Sequence, residues 1–159
     1  MAQAITLLLF FSLLSTYAYA GDNVITVQNK GVNANITVKQ VGSSNITGVY
    51  CGLGSFDNSL VNTHNCDNAT ISVTSEGVSN TAYAQSVWSN HDGQSWTIDI
   101  DGNSNYAVID MDEDDNASTI IQDGDDNQAW ILGSGDDNVY KVEQLGDDYY
   151  AKILSLIHI

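Results

Sequence analysis

The chain has 159 residues and a formal net charge of −16 at pH 7, from 20 acids against four bases, all of them lysine. So acidic a balance argues against nucleic acid as a partner, because phosphates reward basic surfaces, and against anionic lipid. There is no proline, so nothing in the chain forbids continuous backbone ladders.

Residues 1–20 read as a secretory signal peptide. An apolar run over residues 5–14 precedes Ala18-Tyr19-Ala20, an A-x-A cleavage pattern before Gly21. The run is too short to span a bilayer, and its leading segment carries no Lys or Arg. No later stretch is long and apolar enough to span.

From Asn23 the chain repeats every eleven residues. Units start at Asn23, Ala34 and Asn45, then at Asn58, Ala69 and Asn80, then at Gln94, Asn105, Asn116, Asn127, Asn138 and Tyr149. With the start as position zero, position +4 reads Val27, Val38, Val49, Asn62, Val73, Ala84, Ile98, Ile109, Ile120, Ile131, Val142 and Ile153. Position +2 is mostly apolar or small, and +1, +3 and +5 are often polar. Alternation at period two predicts strands with +2 and +4 facing inward. Position +8 is glycine at Gly31, Gly42, Gly77, Gly102, Gly124, Gly135 and Gly146, and Asn returns at zero, so Gly-x-x-Asn reads as a turn. Two strands make one coil of 22 residues, and twelve strands predict six stacked coils: an all-β solenoid forming one domain over residues 21–153.

The units resemble the repeats of the curlin family, the subunits of bacterial curli fibres. That family's unit has a polar start, two inward apolar positions, an inward Gln, then Gly-x-x-Asn. The best matches are residues 36–45, residues 116–122 with Gly124 and Asn127, and residues 138–144 with Gly146. Gln fills +6 only at Gln40, Gln122 and Gln144, so an amide ladder of the steric-zipper kind is partial. The resemblance implies a secreted subunit that adds to copies of itself as an amyloid-type extracellular fibre for biofilm matrix and surface adhesion, as a major or a nucleating component. It also implies a nucleating partner and an outer-membrane secretion pore. The Gly/Asn-rich leader that the family's major subunit shows that pore is missing, since only Gly21 and Asp22 precede the first unit. The alternative is a soluble acidic β-solenoid that binds a ligand, with Ca²⁺ as a candidate.

The acids gather in turns: Asp112-Glu113-Asp114-Asp115, Asp123 with Asp125-Asp126, Asp136-Asp137, and Asp147-Asp148. Alternation of edges predicts that Asp114-Asp115 stacks near Asp136-Asp137, and Asp125-Asp126 near Asp147-Asp148. Carboxylates one rung apart repel by about 1 kcal/mol per pair in water. Solvation and resistance to premature edge-to-edge growth explain them. A Ca²⁺-binding edge at Asp114, Asp115, Asp136 and Asp137 is the sharper reading, though no EF-hand or calcium-roll spacing is present. On either account lower pH or added Ca²⁺ is expected to speed assembly.

Other motifs carry less. Cys51 ends the third strand and Cys66 follows the fourth, on opposite edges about 20 Å apart at strand rise, which argues against a disulfide. The irregular stretch at residues 52–57 leaves a bridge open. His64, His91 and His158 have no metal-ligand spacing. The N-x-S/T triplets at Asn35, Asn45, Asn68 and Asn116 read as by-products of the repeat. Tyr50, Tyr83, Tyr106, Trp130 and Tyr150 fall at odd offsets and should face outward, for fibre packing or adhesion. An ice-binding face needs a flat array of threonines, and Thr97 and Thr119 alone are too sparse for one. Nothing points to an enzyme or to a cofactor. Residues 154–159, Leu-Ser-Leu-Ile-His-Ile, spell one reading frame of a transposon-type sequencing adapter and are read as non-native.

Overall fold

The computed structural model describes residues 4–8, 13–18, 21, 23–28, 34–49, 68–85, 93–111 and 114–155. Among them there are thirteen strands and no helix. In chain order they are β1 (Ala4–Leu8), β2 (Leu13–Ala18), β3 (Val24–Gln28), β4 (Asn35–Gln40), β5 (Ile46–Thr47), β6 (Thr70–Ser75) and β7 (Thr81–Gln85). Then come β8 (Ser95–Asp101), β9 (Tyr106–Met111), β10 (Ala117–Asp123), β11 (Gln128–Gly133), β12 (Val139–Leu145) and β13 (Tyr150–Leu154).

Consecutive strands lie in opposite sheets. One sheet runs β1-β3-β5-β7-β9-β11-β13, the other β12-β10-β8-β6-β4-β2, and every pairing is parallel. Like therefore lies over like: Ile98 pairs with Ile120 and Ile120 with Val142, while Ile109 pairs with Ile131 and Ile131 with Ile153. This is a β-solenoid whose regular coil is 22 residues, as the period predicts.

One unit departs from the count. Asn35 pairs directly with Thr70, and Ile46 with Thr81, so the unit that starts at Asn58 has no place between them. That coil advances 35 residues, and the expected strand at residues 58–63 is replaced in the ladder by the unit from Ala69. The next coil advances 25 residues, from Thr70 to Ser95, and absorbs the slip before Gln94. From Ser95 onward the 22-residue step holds. The physical reason lies at +4. Every other unit places Val, Ile or Ala there, and this one would bury Asn62 among them without a partner.

Residues 1–20, expected to be a leader, supply β1 against β3 and β2 against β4, as one further rung. The A-x-A site falls between β2 and β3. At the other end Leu154 closes β13, and Ser155 continues the ladder by bonding Leu132 O at 3.0 Å and Ser134 N at 3.1 Å. Residues 156–159 lie outside the described residues.

The core lies between the two sheets. Val27, Val38, Val49, Val73, Ile98, Ile109, Ile120, Ile131 and Val142 are all buried, and Ile153 is half-buried. Each fully buried side chain of this size stabilises the fold by about 1.5–3 kcal/mol. Positions zero and +6 face inward too, so each strand presents four inward residues rather than two: on β10, Asn116, Ser118, Ile120 and Gln122. Large side chains are accommodated by small neighbours. Trp96, Ser118 and Tyr140 stack in register, and the Tyr140 ring closes over Gly133, where a Cβ would lie 2.5 Å from its Cε2. Among the described residues no helix is long and apolar enough to cross a membrane.

Candidate assembly interface

The contacts between coils are the chemistry this molecule offers, and asparagine at position zero is their centre. Asn45 N–H donates to Asn23 Oδ1 (3.0 Å), Asn80 N–H to Asn45 Oδ1 (2.8 Å), Asn105 N–H to Asn80 Oδ1 (2.9 Å), and Asn127 N–H to Asn105 Oδ1 (2.9 Å). Tyr149 N–H completes the column on Asn127 Oδ1 at 2.9 Å. The same amides donate through Nδ2 to the turn of the following coil: Asn23 to Gly42 O (2.6 Å), Asn45 to Gly77 O (2.9 Å), Asn80 to Gly102 O (2.8 Å), Asn105 to Gly124 O (2.7 Å) and Asn127 to Gly146 O (2.6 Å). Each buried Asn thus satisfies one N–H and one C=O of its neighbour that would otherwise be orphaned. The opposite edge repeats the bond, from Asn138 N–H to Asn116 Oδ1 at 3.0 Å.

Asn is therefore a ladder residue here, and the left-handed backbone belongs to the residue before it. Ser44, Ser79, Ser104, Asp115, Asp126, Asp137 and Asp148 all have φ between 57° and 62°. Gly77, Gly102, Gly124, Gly135 and Gly146 share positive φ, whereas Gly42 does not; Gly31 lies outside the described residues. At Gly102 a second constraint applies. A Cβ there would collide with the carbonyl oxygen of Gly124, so the stacked turns approach too closely for any side chain.

The acidic turns have a structural task. Val78 N–H donates to Asn103 Oδ1 (3.0 Å), Asn103 N–H to Asp125 Oδ1 (2.7 Å), and Asp125 N–H to Asp147 Oδ1 (2.9 Å). On the other edge Asp114 N–H donates to Asp136 Oδ1 at 3.2 Å. The expected stacking of Asp114 with Asp136 and of Asp125 with Asp147 is present, and each carboxylate accepts a backbone N–H from the coil before it. A charge-assisted bond of this kind offsets the repulsion between rungs. Asp115 and Asp137 occupy the left-handed turn positions. Among the described residues no group of three or more Asp, Glu, His or Cys side chains converges as a metal site would.

The glutamines divide. Gln122 Nε2 donates to Gln144 Oε1 at 2.8 Å, and both also donate to backbone carbonyls, Gln122 to Tyr106 O (3.2 Å) and Gln144 to Gln128 O (3.1 Å). Gln40 was expected in the same ladder, but its register neighbour is Ser75, and its buried amide makes no hydrogen bond. Gln122 Oε1 also lacks a donor, because Ile100 lies beneath it. The amide ladder is two rungs long.

The outward aromatics form a chain along the first sheet. Tyr106 and Trp130 have ring centroids 5.1 Å apart, and Trp130 and Tyr150 5.2 Å, both pairs tilted. Tyr83 sits on the same face, half-buried; Tyr50 lies outside the described residues. Of the glycosylation-like triplets, Asn45 and Asn116 are fully buried, so their amides are inaccessible. Cys51, Cys66, His64, His91 and His158 also lie outside the described residues. The separation argued for the two cysteines assumed a strand at residues 58–63, and that premise falls with the strand.

The outer edges of β12 and β13 pair with no strand among the described residues. Beside them a recess of about 610 Å³ opens among Glu143, Gln144, Leu145, Tyr149, Tyr150 and Ala151. No family model matches the chain, and no curated protein or solved structure is significantly similar to it.

Proposed function

We propose that this chain is a secreted structural subunit that adds end to end to copies of itself, giving an extracellular amyloid-type fibre of the curli kind for matrix and adhesion. The observation that carries the reading is the identity of the coil-to-coil contact at every rung. Asn127 meets β13 through the same acceptor bond by which Asn23 meets the coil of β5. A contact that repeats within one chain also fits between chains. It is heterologous and does not close, which gives filaments. The open edges of β12 and β13 offer unpaired N–H and C=O groups to a next strand. Secretion and a fibre-nucleating partner rest on the sequence and on the curlin resemblance.

The test is incubation of the chain from Gly21 onward at neutral pH. Fibres with a meridional spacing of about 4.7–4.8 Å are the expected result. A preparation that stays monodisperse for days at high concentration rejects the reading and leaves the soluble acidic binding module.

A further inference from the structure

The outer face of the sheet containing β4, β6, β8 and β10 carries short hydroxyl side chains in rows. Position +3 reads Thr37, Ser72, Thr97 and Thr119, each paired directly with the next. Position +1 reads Asn35, Thr70 and Ser95, in the same register. All seven point outward, exposed or half-buried. The displaced unit creates this array: with residues 58–63 in the ladder, Thr70 and Ser72 would have passed to the opposite sheet.

The spacing of the rows has a chemical meaning. Rungs lie about 4.8 Å apart, and alternate residues about 6.6 Å apart along a strand. A water about 2.8 Å from each of two hydroxyls on neighbouring rungs makes an oxygen–oxygen–oxygen angle close to tetrahedral. Waters held this way repeat at the rung spacing without distortion, and the second row extends them into a sheet. On β4, β6 and β8 positions +1 and +3 hold no ionisable group, and Lys39 beside them is paired with Glu76. The face offers no ring on which a sugar would stack, since Trp96 points into the core.

We propose that this face binds ice, ordering water on its hydroxyl rows. The inference does not depend on fibre formation. It is tested with the full chain, by partition into slowly growing ice and by inhibition of ice recrystallisation. The wild type is expected to enrich in ice and to halt recrystallisation. The S72K/T97K double variant is expected to lose about tenfold or more in potency, because a flat multivalent contact is interrupted, while its far-UV dichroism stays β. Thr97→Tyr, which favours strand and adds no charge, should lose potency likewise. Thr81→Lys, on the other sheet, should lose none. A wild type no better than an acidic control protein of equal size overturns the proposal, as does a double variant of full potency. Binding to cellulose or chitin without ice activity overturns it as well and assigns the face to a polysaccharide.

Discussion

Asn105 shows why a polar residue can hold this core together. Its Oδ1 accepts from Asn127 N–H, its Nδ2 donates to Gly124 O, and its own N–H donates to Asn80 Oδ1. Truncation leaves a buried donor and a buried acceptor unmet, at about 1–3 kcal/mol each. Asn105→Ala should therefore lower unfolding free energy by about 2–4 kcal/mol in urea, whereas Asn103→Ala, at an exposed turn, should cost less than about 1 kcal/mol. Equal midpoints for the two variants would contradict the ladder's role. The glutamines give a contrast of sign. Gln122→Leu breaks the bond to Gln144 and should destabilise. Gln40→Leu removes an amide that already lacks partners and should be neutral or stabilising by about 1 kcal/mol. Paired denaturant titrations read both.

Among the elements, the displaced unit is the informative one. Removing residues 53–65 would return that coil to the 22-residue length of its neighbours. The shortened chain is expected to keep its β dichroism and to melt within a few degrees of the parent, because the β4–β6 and β5–β7 pairings stay unchanged. A collapse of the melt would place residues 58–63 in the ladder after all. The first rung invites a second comparison. β1 and β2 cover the edges of β3 and β4, so the chain from Met1 should elongate fibres more slowly than the chain from Gly21, by thioflavin kinetics on matched seeds. The Val/Ile column, the outward aromatics and the edge on which each acid falls were legible in the sequence because burial at period two leaves a direct compositional trace. The displaced unit was not, since Asn58 and Leu60 keep the frame and only Asn62 breaks it. The asparagine ladder was missed for a different reason. Asn is common in turns, and the sign that it belongs to the core lies one residue earlier, in the Ser or Asp that takes the left-handed backbone at Ser79, Ser104, Asp126 and Asp148.

For the whole molecule, charge opposes what the open edges favour. From Asp92 onward there are 16 acids and two lysines, so that half carries −14 and copies repel one another on approach. Raising ionic strength from about 0.01 M to 0.15 M shortens the screening length from about 30 Å to 8 Å. Fibre elongation should accelerate accordingly, and a rate indifferent to salt would mean that the acids do not govern encounter. The tilted aromatic chain supplies a way to watch this. Trp130 lies between Tyr106 and Tyr150 on the outside of β11, whereas Trp96 is sealed in the middle coils. Light absorbed by either tyrosine passes to Trp130 only while β9, β11 and β13 stay stacked. The unlabelled protein thus carries two optical gauges at different depths, one reporting the interior and the other reporting whether its last coils are still closed.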